Sequence, residues 1–242
     1  MPTSSMMAFF PYVSSLESLI QSTLDDHAQA ALPSTLHSIL DGQPSTRLRE
    51  LVDIKSRKAS GAFFTNSLLR TRAASYINST ISPKSIIFDP ACGAGDLLIA
   101  CTSHLSIEKD LESTLLQWGN QLSGLDIHPE FVRAAKARLF LAAIERMPKC
   151  NIRRQYDPND WFPLIQVGDG LSNNELVKKT THIILNPPFG MTPAPDKCHW
   201  TSGQVSMAAL FLERIIANAQ PNTHLIAILP DVIRTGTESI VH

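Results

Sequence analysis

Asn186-Pro187-Pro188-Phe189-Gly190 follows directly on an apolar run, His182-Ile183-Ile184-Leu185. Two consecutive prolines fix the backbone and remove two N–H donors. The turn therefore presents carbonyl oxygens together with the Asn186 side-chain oxygen. Acceptors without competing donors suit an –NH2 group, and an adjacent aromatic such as Phe189 can stack on the ring that carries it. A rigid proline turn with no ligand would account for Pro187 and Pro188, but not for Asn186 and Phe189 beside them.

Three acids stand at the ends of other apolar runs. Asp89-Pro90-Ala91-Cys92-Gly93-Ala94-Gly95-Asp96 places a carboxylate ahead of two glycines one residue apart. Gly93 and Gly95 permit a tight turn and close backbone approach to a ligand, though a plain strand-to-helix turn would use them too. Asp89 disfavours a pyrophosphate there and suits a ligand bearing an ammonium or sulfonium charge. Asp126 ends Leu122-Ser123-Gly124-Leu125 and can accept both ribose hydroxyls of an adenosine. It lies 31 residues after Gly95, against about 20 in a nicotinamide-binding unit, so the spacing favours another adenosine ligand. As an alternative or additional role, Asp126 caps the helix beginning near Pro129. Asp169, in Val167-Gly168-Asp169-Gly170, could accept the exocyclic amine of an adenine whose ring Ile127 covers; the same residues also make an ordinary turn.

These residues need a scaffold that brings strand ends together. Five short apolar runs read as strands: 85–88, 122–125, 164–167, 182–185 and 224–229. Helical patterns at 97–105, 131–147 and 207–219 lie between them, and the alternation predicts an α/β fold with a doubly wound, mostly parallel sheet. Ligands bind such sheets at the carboxyl ends of the strands, where the polar and glycine-rich segments fall. Ahead of the sheet, helices are expected at 14–31, from Ser34 to near Gly42, and from Arg47 to Ile54. The resulting division is a small helical N-terminal region, 1–57, and a second unit, 58–242.

With 242 residues, 43% hydrophobic and 18% charged, the chain can bury one sizeable core. Four scattered cysteines, with no C-x-x-C pair, exclude a disulfide scaffold and give no zinc site; no metal is expected. The plain reading is a reduced, cytoplasmic compartment. The net charge of −1 argues against a free-standing, charge-driven polyanion binder. The balance is uneven along the chain. Residues 1–46 carry four acids and no Lys or Arg, whereas 47–84 carry eight basic residues against Glu50 and Asp53. That basic stretch is either a solvated helix face or a phosphate-contacting edge, with Lys55, Arg57 and Lys58 nearest the ligand.

Taken together, residues 58–236 resemble the S-adenosylmethionine-dependent, adenine-N6 DNA methyltransferases of restriction–modification systems, most of all the modification subunits of type I systems. Lys58-Ala59-Ser60-Gly61-Ala62-Phe63-Phe64-Thr65 resembles the N-terminal cofactor motif, which in that family continues with proline where this chain has Asn66. Asp89–Gly95 resembles the glycine-rich motif, Asp126 the ribose-binding acid, Asp169 the adenine-binding acid, and Asn186–Phe189 the catalytic motif. The resemblance implies a class I, Rossmann-like methyltransferase fold with S-adenosylmethionine as cofactor. Phe64, Thr65, Asp89, Ala91, Gly93, Gly95, Asp126, Ile127 and Asp169 would hold the cofactor, and Asn186, Pro187, Pro188 and Phe189 would carry the catalytic step. It also implies a flipped adenine of DNA as substrate, with DNA engaged through a further C-terminal region or a separate specificity subunit. The family's last two strands, an antiparallel hairpin, have no counterpart before His242, which suggests a C-terminally truncated domain. Two other readings remain: a related enzyme acting on ribosomal RNA guanine or a protein glutamine amide, and a non-catalytic domain that binds cofactor or a partner.

Overall fold

The computed structural model describes residues 6–25, 34–54, 65, 67–147, 156–195 and 203–229. Its centre is a five-stranded sheet in which every pairing is parallel. The strands are β1 (Ile87–Asp89), β2 (Leu122–Asp126), β3 (Ile165–Val167), β4 (His182–Leu185) and, after two short strands outside the sheet, β7 (His224–Ala227). Their order is β3-β2-β1-β4-β7. The chain runs outward from β1 to β3 and then returns to the other side of β1. The order thus reverses between β1 and β4, the position at which open parallel sheets form a crevice.

All five expected strands are present; β4 falls where it was expected, and each of the others differs by one or two residues at one or both ends. β1 starts at Ile87 and includes Asp89, because Ile87, Phe88 and Asp89 pair in sequence with Leu122, Ser123 and Gly124. A small antiparallel hairpin, β5 (Met191–Pro193) with β6 (Gln204–Ser206), stands where the sequence suggested only loop. Cys198 and His199 lie outside the described residues.

The helices are α1 (Phe10–Asp25), α2 (Ser34–Leu40), α3 (Gln43–Leu51), α4 (Ser67–Ser75), α5 (Asp96–Thr102), α6 (Leu111–Gln121), α7 (Pro129–Arg146), α8 (Pro158–Trp161), α9 (Asn174–Lys179) and α10 (Met207–Asn218). The helix expected from Arg47 starts earlier, at Gln43, with proline in its first turn. Helix α6 was not anticipated, although its start is marked: the Asp110 carboxylate accepts from the Ser113 N–H, an ordinary N-cap.

Helix α7 sits at the middle of the fold. From Phe131 to Ile144 every residue except Arg133 is buried, so the helix is covered on all sides. One side packs on the sheet and the other on α1 and α2. Phe9, Val13, Leu16 and Ile20 join the same core cluster as Phe131, Leu139 and Ile184. At the rim of the α1 contact, Arg133 donates two hydrogen bonds to Glu17 (3.1 and 2.7 Å) and lies 4.7 Å over the Phe10 ring.

At the amino-terminal ends of β4 and β7, opposite the crevice, His182 and His224 are register partners whose rings stack 4.9 Å apart. The buried His182 ring contacts the Thr80 hydroxyl through Nε2 (2.9 Å) and the Thr181 hydroxyl through Nδ1 (2.8 Å). Burial, reinforced by the neighbouring His224, holds the His182 pKa below its ordinary value of 6.5. The unfolded chain therefore binds the proton more readily, and this contribution to stability is lost as pH falls from 6.5 through the folded-state value. Thermal melts from pH 7.5 to 5 should show His182→Gln losing less stability on acidification than the unsubstituted protein. Parallel curves for the two proteins would refute the assignment.

Candidate functional site

The loops leaving β1, β2 and β4 converge on the crevice. A small cleft is lined by Thr65, Asp89, Ala91, Cys92, Gly93, Asp96, Leu97 and Asn186. Five of these, Thr65, Asp89, Ala91, Gly93 and Asn186, are residues that the sequence singled out for cofactor or substrate. The structure brings them together from three separate parts of the chain.

The glycine-rich loop is shaped by its conformation and by Asp126. Gly93 and Gly95 have φ of 51° and 85°, in the left-handed region that glycine adopts without strain. Asp126 Oδ2 accepts from the Gly93 N–H (3.0 Å) and Oδ1 from the His128 N–H (2.8 Å). The capping role weighed for Asp126 is thus corrected: the N-cap of α7 is His128, and Asp126 instead ties two loops together. Each carboxylate oxygen keeps a second lone pair, so Asp126 can still accept from a ligand hydroxyl.

The electrostatics of the cleft are unusual. Asp89 is 2% exposed, and its Oδ1 accepts from the Ala91 N–H at 3.0 Å. Burial, with smaller additions from Asp126 and Asp96, pushes its pKa up from 3.8 to about 8. Burial likewise raises Asp126 to about 6. A buried acid whose pKa is raised in this way ionises at lower cost when a positive charge comes beside it. Cys92, at the same loop, has its thiol pushed well above 9.0 by burial and by the two acids, which leaves it inert as a nucleophile.

Asn186 follows the last residue of β4. Its Nδ2 donates to Thr65 Oγ1 at 3.0 Å. Its Oδ1 is buried and has no hydrogen-bond partner among the described residues. Leaving a buried acceptor unsatisfied costs about 1–3 kcal/mol, so this oxygen would take up a donor from outside, a water or a ligand amine. Pro187 is buried, Pro188 half-buried, and Phe189 is 38% exposed at the rim.

The remaining assigned residues are spread along the same edge. Ile127, beside Asp126, is 54% exposed, as a residue offering an apolar face to a ring would be. Asp169 is exposed and its two oxygens accept from the Leu171 N–H (2.9 Å) and the Ser172 hydroxyl (2.9 Å), so the turn reading of that segment holds. Gly170 is a forced choice: a Cβ there would sit 2.0 Å from the Pro90 carbonyl oxygen. The third loop therefore rests directly on the first. Phe64, Lys55, Arg57 and Lys58 lie outside the described residues.

Two buried arginines escaped the sequence analysis. Arg138, fully buried on α7, donates through Nε to the Ile39 carbonyl (2.9 Å), through Nη2 to the Leu40 carbonyl (3.2 Å), and through Nη1 to the Ala94 carbonyl of the glycine-rich loop. It also pairs with Asp96 at 2.8 Å. Arg70, counted above within the basic stretch, is instead buried and donates to Leu40 O (2.6 Å) and Asp41 (3.0 Å). These cations face the last carbonyls of α2, where the helix dipole is negative.

Residues 50–231 match the protein family described as N-6 DNA Methylase. No curated protein matches the chain. Among solved structures, the type IIG restriction endonuclease BpuSI is similar with a TM-score of 0.54 and 20% identity, over 85% of this chain and 23% of that one. The type IIL restriction-modification enzyme MmeI, solved in complex with DNA, gives a TM-score of 0.52 at 14% identity, over 75% of this chain and 32% of that one. The chain of a DrdV–DNA complex gives 0.55 at 13% identity, over 79% and 22%. At such identities the likeness is one of fold, and the chain spans a third or less of each of these proteins. With three quarters of its length matched by the family, the chain belongs to the N-6 DNA methylases.

Proposed function

We propose that this chain transfers a methyl group from S-adenosylmethionine to the exocyclic N6 amine of adenine in DNA, as the catalytic portion of a restriction–modification assembly. The observation that carries the reading is the buried Asn186 Oδ1, without a partner among the described residues, beside a two-proline turn in a cleft that it lines together with the buried Asp89. The residues present fit the cofactor: Asp126 can accept ribose hydroxyls, Ile127 offers an apolar face, and Asp89 meets a cationic group.

S-adenosylmethionine, when bound, supplies an electrophilic methyl group. The chain's own residues act on the adenine. Asn186 Oδ1 and the Pro187 carbonyl accept hydrogen bonds from the amine, draw its lone pair out of conjugation with the ring, and stabilise the positive charge that grows on nitrogen. Phe189 at the rim can stack on the flipped base. No residue is required to form a covalent intermediate, so the rate rests on positioning and on exclusion of water. DNA would be engaged with the help of a further C-terminal region or a separate specificity subunit, in keeping with the much longer relatives. Tritiated-methyl transfer to DNA, RNA and protein, followed by mass spectrometry of the digested product, tests the reading. Methyl found on cytosine, guanine or a glutamine amide would overturn it.

The Asp89 pKa supplies a second check. Its raised value means that its folded-state contribution is present at low pH and fades as pH rises through about 8. A cationic ligand reverses this by favouring the carboxylate, so cofactor binding should release a proton near pH 7. Calorimetry in buffers of different ionisation enthalpy should detect that release, and affinity should climb between pH 6 and 8. Asp89→Asn should bind more weakly and with no proton release. A wild-type binding enthalpy independent of buffer would contradict the assignment.

A further inference from the structure

A carboxamide has two ends of nearly equal size and opposite polarity. Rotated by half a turn, Asn186 would point an –NH2 group at the target amine, and donor would face donor. Its usefulness as an acceptor depends on whatever selects the other orientation. Among the described residues, the single side-chain partner of the amide is Thr65, whose Oγ1 accepts from Nδ2 at 3.0 Å across 121 residues of sequence. Thr65 is 8% exposed and lines the cleft with Asp89 and Gly93.

We propose that Thr65 is a positioning residue for Asn186: its hydroxyl oxygen captures Nδ2 and thereby aims Oδ1 at the incoming amine. This rests on the amine-holding role proposed for Asn186 and adds to it the residue that fixes the amide's polarity. A threonine hydroxyl can serve either end of a carboxamide, and what commits it is its single proton. The hydroxyl borders the cleft, so once it donates to an acceptor on the molecule held there, only its lone pairs remain for Asn186. The amide already has this orientation in the structure, with Nδ2 on Thr65 and Oδ1 without a partner among the described residues, and an occupant that takes the hydroxyl proton would hold it there.

Thr65→Val keeps the shape and removes the hydroxyl, whereas Thr65→Ser keeps the hydroxyl. In a wild-type assembly active on adenine-unmethylated DNA, Thr65→Val should lower kcat about 10- to 100-fold while the KM for DNA moves by less than about threefold. Thr65→Ser should stay within about threefold of wild type, and its melting temperature should match that of wild type. A readout independent of turnover uses the chain alone. Proton exchange at the Asn186 side-chain amide, followed by NMR, should be about tenfold faster in Thr65→Val than in wild type or Thr65→Ser, and slower in wild type when S-adenosylhomocysteine is added. Unchanged amide exchange in Thr65→Val overturns the proposal. Wild-type transfer by Asn186→Ala would remove the parent reading but leave the exchange result standing, so the two failures are distinguishable.

Discussion

Asn186→Ala is expected to lower methyl transfer by about 10²–10³-fold while leaving cofactor affinity within about twofold of wild type. The split follows from where the side chain's free valence points. Nδ2 is already satisfied by Thr65, and the group left over is a buried oxygen with no donor among the described residues. That hydrogen bond strengthens as the amine nitrogen becomes positive, so removing it affects the transition state more than the ground state. Alanine removes a buried, unsatisfied acceptor but also the hydrogen bond to Thr65, so the two effects on stability oppose each other. Single-turnover transfer, measured in whatever assembly gives turnover with the unsubstituted chain, and calorimetric titration with S-adenosylhomocysteine together decide the matter. A parallel loss of cofactor binding would move Asn186 from the base to the cofactor.

Arg138→Met is expected to be among the most destabilising single changes available in the protein. Methionine fills similar volume, so the loss would be electrostatic rather than a cavity. It would strip a hydrogen bond from each of three carbonyls, Ile39, Leu40 and Ala94, and leave Asp96, 5% exposed, with Arg70 at 3.6 Å as its remaining ion-pair partner among the described residues. Breaking a buried pair from one side typically costs about 3–5 kcal/mol. Chemical denaturation should report a loss of that order. Asp96→Asn combined with Arg138→Met should cost less than the sum of the two, because the stranded charge is gone. A loss below about 1 kcal/mol would show that the network is not holding the loop.

The strand ends were legible because the sequence departs there from what a buried strand wants. An acid after Ile87-Phe88, another after Gly124-Leu125 and an asparagine with two prolines after Ile184-Leu185 have no role in a core, so their types disclose the edge of the sheet at which they lie. The central helix was legible in type but not in surroundings. Val132, Ala135, Leu139 and Ile144 mark one apolar face, yet α7 is buried all round, and Arg138 at its centre looks in sequence like a solvated position. Charge normally signals surface; here the carbonyls at the end of α2 supply the partners, and those partners lie about a hundred residues away in sequence. Arg70 misleads in the same manner, since counting it in a basic stretch assumes that it faces water. The β5–β6 hairpin was hidden because its strands are three residues long and the segment joining them, 194–203, runs to ten residues. The Thr65–Asn186 contact joins two motifs that could each be recognised separately, but no spacing rule connects them.

The anchoring of the glycine-rich loop also bears on protein engineering. Catalytic cores of this kind invite exchange between enzymes, and the obvious seam lies just ahead of β1, where the helical segment gives way to the sheet. That seam would cut through the fold's own wiring. The carbonyls of Ile39 and Leu40 are held by the same guanidinium that grips Ala94, and Phe9, Val13 and Leu16 share a core with the helix that carries it. A chimera spliced at residue 58 or at residue 85 would pair one protein's sockets with another's plug. A transplant that keeps everything from Phe9 onward carries matched parts with it, and its soluble yield against that of the shorter grafts would show how far the helical segment and the sheet are a single heritable unit.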